Sequence, residues 1–378
     1  MRIAINTRFQ GYPYQEGYGY FTRSLSQALI EQFPEDEFKL IFDGKIDEAN
    51  PARNVVEIVL KPAARHPLIW KYWYDVKLPF LLKRLKADVF LSPDGFCSLR
   101  SNVPQVVVVH DLAFMHYPSF LPASQQLYYK LYTPSFLRKA KKIITVSEFS
   151  KADIIKHFPF TKHKIEVVAN SADPRFKPAA TEVKDRMKEK YTGGREYFLY
   201  VGSIHPRKNL ISLLKAFSSF KKRQQTNMQL IIAGRMAWKN ESFQNALSTF
   251  KFRDDVKLTG YLPLEELVDL MGSAYAMVYP SLWEGFGLPL LEAMRCGVPV
   301  LCSGNSALSE TGGDAALYFD PSNADDITKQ MAIIYKDESL RAKMIERGLE
   351  HAAQFSWEKS ARRVREILSD AVNGGSIP

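Results

Sequence analysis

Short apolar runs alternate with stretches of helical periodicity along most of the chain. Residues 3–7 are apolar and β-prone, and a glycine-bearing loop and a helical pattern over about 20–32 follow them. Runs at 38–42, 55–59, 89–92, 106–110, 143–147 and 165–169 predict further strands, with helices over 78–86, 127–139 and 150–157. The 106–110 run is almost continuously apolar, as a strand covered on both faces must be. This β–α alternation predicts a parallel sheet with helices on both faces.

Two prolines and an Asn-Ser-Ala-Asp turn within 170–178 read as an interdomain linker. The alternation then resumes, with strands over 197–201, 229–233, 256–259, 276–279, 298–302 and 315–319. Helices are predicted over 210–222, 264–273 and 288–295, and a basic helix over 356–372 carries Lys359, Arg362, Arg363 and Arg365. The predicted class is therefore α/β, with two doubly wound Rossmann-like domains, 1–178 and 179–355, facing a central cleft. Ligands in such sheets bind beyond the carboxyl ends of the strands, so the informative residues should follow strands.

A chain of 378 residues, 46% of them hydrophobic, is long enough for two cores and too apolar to be disordered. No apolar run approaches the ~20 residues of a membrane span, and the opening MRIAINTRF reads as a first strand, not a leader. Cys97, Cys296 and Cys302 are too scattered for a disulfide framework or a Cys-rich zinc site, and fit thiols in a reducing cytoplasm. The net charge of +10 is uneven: residues 1–180 hold 25 Lys+Arg against 17 Asp+Glu, and 181–378 hold 26 against 24. Such a basic first half suits an anionic partner: a membrane surface, a phospholipid-type acceptor or a nucleic acid. No nucleic-acid-binding module is recognisable, which disfavours the last. The 68–86 stretch interleaves aromatics and leucines with Lys83, Arg84 and Lys86. It reads either as a surface for an anionic bilayer or as a core-packed helix with solvated cations.

Two motifs carry the candidate chemistry. The 197–201 strand runs into Gly202-Ser203-Ile204-His205-Pro206-Arg207-Lys208-Asn209 before a helix. The glycine permits close backbone approach, and two cations near a helix start suit a diphosphate. The 276–279 strand runs through Glu284-Gly285-Phe286-Gly287-Leu288-Pro289 into a helix holding Glu292 within its first turn. Two carboxylates eight positions apart can grip hydroxyls on different sugar rings. In the first half, His110-Asp111 follows a buried strand, placing a titratable pair where crevices open. Gly17-Tyr18-Gly19 lacks the third glycine of a dinucleotide fingerprint, with Thr22 in that place. Ser147 and Ser150 fit a helix N-cap. No DxD-type pair in a donor-like context and no His/Cys ligand cluster is visible in the linear sequence, so metal-independent chemistry is expected.

These residues resemble glycosyltransferase family 4, the retaining GT-B group, over nearly the whole chain. The most specific part is Glu284-x7-Glu292 within PSLWEGFGLPLLEAMRCGVPV; VGSIHPRKN, AG at 233–234, TGYLP at 259–263 and VSEFSKADI support it. The resemblance implies a nucleotide-sugar donor and no cofactor. Glu292 would bind the donor ribose and Glu284 the transferred sugar. Arg207 and Lys208 would bind the diphosphate, and backbone around Gly285, Phe286, Gly287 and Leu288 would hold the sugar. Gly17, Gly19, Gly202, Ser203, Gly234 and Tyr261 complete the implied donor site, and Ser306, Leu308 and Glu310 fall near the nucleotide. Many members carry Arg where this chain has Ser203, which leaves the phosphate charge to Arg207 and Lys208. His110 would act catalytically or position the sugar, with Asp111 orienting it or binding acceptor. The 356–378 segment would cross back to the first domain. The motif versions look most like mannosyltransferases, which implies retaining transfer of mannose from GDP-mannose to a glycan or lipid-linked acceptor in surface polysaccharide synthesis. The expected location is cytoplasmic, peripheral on the inner membrane face. A GT-B sugar-nucleotide epimerase and a UDP-sugar-dependent transferase are the alternatives.

Overall fold

The computed structural model describes residues 1–10, 17–46, 50–236 and 241–374. The chain forms two compact units, Met1–Asn170 with Ser356–Pro378, and Ser171–Phe355. The predicted linker segment beyond Asn170 thus goes with the second unit, where Phe176 is buried and Ser171 Oγ donates to the Phe355 carbonyl (3.0 Å).

The first unit holds β1 (Arg2–Asn6), β2 (Glu37–Phe42), β3 (Val55–Val59), β4 (Val89–Ser92), β5 (Gln105–Val108), β6 (Lys142–Thr145) and β7 (Ile165–Val167). They make one parallel sheet in the order β3-β2-β1-β4-β5-β6-β7. Ile3 pairs with Phe38 on one side and Val89 on the other, so β1 is central. The second unit holds β8 (Tyr197–Val201), β9 (Gln229–Ala233), β10 (Val256–Gly260), β11 (Ala276–Tyr279), β12 (Val300–Ser303) and β13 (Ala316–Phe319). Its parallel order is β10-β9-β8-β11-β12-β13. Every residue of β8, β9, β11 and β12 is buried, which accounts for their largely apolar character. In both sheets the chain starts in the middle and reverses its direction of travel after the third strand. This places a switch point beside β1 and β4 in one unit and beside β8 and β11 in the other.

The Trp357–Asn373 helix completes the first unit by packing on the Gly17–Gln32 helix. Its Val364, Ile367 and Leu368 are fully buried. Its cations are paired: Arg365 with Asp36, Arg363 with Glu166, and Arg362 Nε with the Gln32 side-chain carbonyl (3.2 Å). Gly17 and Gly19, expected in a loop, instead form the first turn of the Gly17–Gln32 helix.

Both readings of the 68–86 stretch hold for part of it. Trp70, Trp73 and Tyr74 are core residues, so these rings are unavailable to a membrane. The two indoles donate to the carbonyls of Ala64 (2.6 Å) and Leu60 (2.8 Å), which satisfies the buried N–H groups. Leu68 and Phe80 remain 77% and 74% exposed, beside exposed Tyr72, Lys83, Arg84 and Lys86. All three cysteines are buried free thiols. Among the described residues, no helix is long and apolar enough to cross a membrane.

Candidate functional site

The second unit assembles its polar cluster where β8 and β11 end. Gly202 and Gly234 follow β8 and β9 with φ of +142° and +151°, a region L side chains rarely adopt. A Cβ on Gly234 would lie 1.9 Å from the Gly202 carbonyl oxygen, so the two strand exits touch backbone to backbone. The exits are laced by Gly202 N to Ala233 O, Ile204 N to Arg235 O and Gly234 N to Gly260 O, each 2.9 Å. The chain then turns through Pro206–Lys208, where the His205 side chain accepts from the Arg207 amide (3.2 Å).

This turn delivers Arg207 and Lys208 to Glu284, on the loop after β11. Glu284 Oε1 accepts from Lys208 Nζ (2.5 Å), Ser281 Oγ (2.5 Å) and Tyr279 Oη (3.2 Å), while Oε2 lies 3.2 Å from Arg207 Nη1. Arg207 also donates to the Trp283 carbonyl. Burial alone would raise the carboxyl's pKa, but Arg207 and Lys208 overcome it and hold Glu284 at about 2. The two cations share the Glu284 carboxylate. The Ser303–Leu308 segment closes over it: Ser306 Oγ accepts from the Glu284 amide (3.2 Å), and the Ala307 amide donates to the Glu284 carbonyl (3.3 Å).

Gly287 caps the Leu288–Arg295 helix at φ +100°, and a Cβ there would lie 2.4 Å from Leu308. Phe286 is buried against Phe355, and its carbonyl accepts from Thr311 Oγ (2.6 Å). Gly285 is buried, Leu288 and Ser203 are partly so, and Tyr261 is exposed. Glu292 is the fifth residue of its helix, one position beyond the predicted first turn. Its pKa is pushed up to about 8 by burial and by Asp173, so the folded protein holds a neutral carboxyl there at pH 7. Glu284 and Glu292, both 8% exposed, therefore occupy opposite protonation states.

The first unit places His110 just beyond β5. The rings of Tyr18 and Phe21 meet it edge-on at 4.7 Å each. His110 Nε2 lies 3.0 Å from the Pro93 carbonyl, which can only accept, so Nε2 carries the proton and Nδ1 is the bare nitrogen. Burial lowers its pKa, which keeps the ring neutral. Asp111 does not orient this ring: its Oδ1 accepts from the Ala113 amide (2.8 Å). Orientation falls to Pro93, beside the switch point, while Ser150 Oγ donates to the His110 carbonyl (3.0 Å). Ser147 caps the Glu148–His157 helix by accepting from the Ser150 amide (3.0 Å).

Tyr279, Ser281 and Thr311 escape a reading of the sequence as functional side chains, although Tyr279 and Ser281 lie inside the motif that carries Glu284. Also missed is a grouping of His116, Asp153 and His157, whose ligand atoms all lie within 4.8 Å of one another.

Residues 182–351 match the family described as Glycosyl transferases group 1, and residues 17–176 match Glycosyltransferase Family 4. Over 373 residues the chain is 31% identical to O-antigen chain mannosyltransferase B of Escherichia coli, covering 95% of this chain and 97% of that one. The chain belongs to glycosyltransferase family 4.

This family 4 glycosyltransferase is also 28% identical over 324 residues to O-antigen chain mannosyltransferase RfbU of Salmonella typhimurium, covering 84% of each. Among solved structures it is similar to WaaG, a glycosyltransferase involved in lipopolysaccharide biosynthesis. That match has a TM-score of 0.78 at 16% identity and covers 97% of this chain and 99% of that one. Anabaena HepE in complex with UDP-glucose gives 0.75 at 14%, covering 98% and 100%. At these identities the structures establish the GT-B fold of the glycosyltransferase.

Proposed function

We propose that this glycosyltransferase moves a mannosyl group from GDP-mannose onto a lipid-linked glycan of the O-antigen type, with retention at the anomeric carbon. The full-length similarity to O-antigen chain mannosyltransferase B supports the sugar and the acceptor class. The observation that carries the donor site is the convergence of Arg207 and Lys208 on Glu284 beside the β8 and β11 exits.

In this reading a donor diphosphate lies against the two cations, which stabilise its developing charge in the place of a metal. Glu284 accepts sugar hydroxyls, and Glu292 ionises as it accepts from the ribose diol. The C1–phosphate bond breaks as the acceptor oxygen bonds to C1 on the same face, and the acceptor proton passes to a donor phosphate oxygen.

A thermal-shift series with GDP-, UDP-, ADP- and TDP-sugars tests the donor, because a ligand selective for the folded state raises its melting point. GDP-mannose gives the largest rise, and transfer proceeds equally with and without added Mg2+. An α-mannoside is seen by NMR. A larger shift with UDP-glucose would reassign the donor, an inverted product would overturn retention, and a free epimerised sugar nucleotide formed without acceptor would replace transfer by epimerisation.

The acceptor's lipid places the first unit at an anionic bilayer surface on the cytoplasmic side. Leu68, Tyr72 and Phe80 enter the interface while Lys83, Arg84 and Lys86 meet headgroups. Neutralising the three cations removes roughly 3 kcal/mol of attraction, at about 1 kcal/mol per cation. Flotation with phosphatidylglycerol-rich vesicles then falls steeply; unchanged flotation refutes the contact.

A further inference from the structure

The first unit contains a side-chain cluster that sugar transfer does not use. His116 ends the Ala113–His116 helix, and Asp153 and His157 stand one turn apart on the Glu148–His157 helix, hence on one face. His116 Nε2 lies 2.9 and 3.1 Å from the two Asp153 oxygens. His157 Nδ1 lies 3.3 Å from Asp153 Oδ1 and 3.0 Å from the Asp153 carbonyl. The two imidazoles are 5.4 Å apart and nearly perpendicular. Asp153 is 9% exposed at its side chain and the two histidines about a quarter.

We propose that His116, Asp153 and His157 bind one Zn2+ ion. Zinc holds His nitrogen and carboxylate oxygen at about 2.0–2.2 Å, so neighbouring ligands of a tetrahedral site stand about 3.3 Å apart. The observed separations of 2.9 and 3.3 Å lie at or just below that edge, and the whole set falls within 4.8 Å. Two imidazoles and one carboxylate suit zinc, whereas Mg2+ and Ca2+ prefer oxygen throughout. Binding replaces the hydrogen bond between His157 Nδ1 and the Asp153 carbonyl, and water fills the fourth position.

The placement gives the ion a structural role. The chain from His110 to His116 is tied to the Glu148–His157 helix at its first end, where Ser150 donates to the His110 carbonyl. Zinc ties its other end to the same helix, through His116. The segment bearing His110 and Asp111 is then held at both ends by one helix. This inference does not depend on the identity of the donor or acceptor.

The test uses the tag-free full chain, stripped with chelator and titrated with ZnSO4. The wild type takes up one equivalent, and zinc raises its melting point. Co2+ at the same stoichiometry gives the intense visible absorption of a tetrahedral site, and excess Mg2+ displaces neither ion. H116Q and H157Q, made separately, each bind zinc at least about 100-fold more weakly and lose the Co2+ band. Each is compared with the wild type at matched metal-free melting points, and either one suffices if the other fails to fold. Absence of zinc uptake by the wild type, or uptake by H116Q and H157Q equal to the wild type's, overturns the site.

Discussion

Glu284→Gln lowers the transfer rate by about 10²–10³-fold, yet strengthens binding of the free nucleoside diphosphate. The carboxylate is the shared counter-ion of Arg207 and Lys208 and accepts from Ser281 and Tyr279. A carboxamide fills the same volume but removes the formal negative charge that both cations contact at this position. Removing one member of a buried ion pair costs about 3–5 kcal/mol, so E284Q melts at a lower temperature. A diphosphate restores the missing charge, and GDP binds roughly tenfold tighter to E284Q than to the wild type and recovers more of its melting temperature. The split between stronger diphosphate binding and weaker transfer distinguishes a sugar-contacting carboxylate from a scaffold residue, for which both would decline. Calorimetry with GDP and initial rates with GDP-mannose measure the two effects. Equal transfer rates, or weaker GDP binding in E284Q, would remove Glu284 from the proposed site.

The second large effect is a pH dependence centred on Glu292. Its folded-state pKa, about 8, lies above the ordinary value of 4.5. The sign follows from proton counting: between these values the unfolded chain has released the proton and the folded protein retains it, so stability falls as pH rises. The contribution is full below pH 4.5 and is lost by the time the pH has passed about 8. At roughly 1.4 kcal/mol per unit of displacement, the loss is on the order of 4–5 kcal/mol. Glu292→Gln is neutral throughout and lacks this decline. Denaturant titrations at pH 5, 7 and 9 should therefore show E292Q gaining on the wild type as pH rises, and a common slope for the two proteins would refute the assignment. Nucleotide binding that recruits ionised Glu292 also releases a proton, visible as a dependence of binding heat on buffer ionisation.

The parallel sheets are legible in the sequence because strands buried on both faces need near-continuous apolar runs, as over residues 230–233 and Ala276–Tyr279. Helices such as Thr181–Thr192 and Glu338–Ala352 are harder to see. Each buries few side chains, and Lys, Arg and Glu occupy at least half of the remainder. Within 68–86, alternating rings and cations resemble a membrane surface, but the buried indoles reach carbonyls at Ala64 and Leu60, which no local pattern reveals. The site shows the same division. Glycines 202, 234 and 287 stand out because their backbone geometry demands them. The pairing of Glu284 with Arg207 and Lys208 joins residues 76–77 positions apart and depends on β8 and β11 being neighbours. His116 and Asp153 likewise meet only because β5 and β6 are adjacent, which sets the helices that follow them side by side.

The Trp357–Asn373 helix gives the first unit a discontinuous chain. On the ribosome, Met1–Asn170 emerges with the Gly17–Gln32 helix still lacking the partner that buries Val364, Ile367 and Leu368. All of Ser171–Phe355 must be translated before that partner exists, so the second unit can reach its native state while the first is still incomplete. A nascent chain paused near residue 355 therefore displays an apolar strip that chaperones can recognise, and its disappearance marks completion of the first unit.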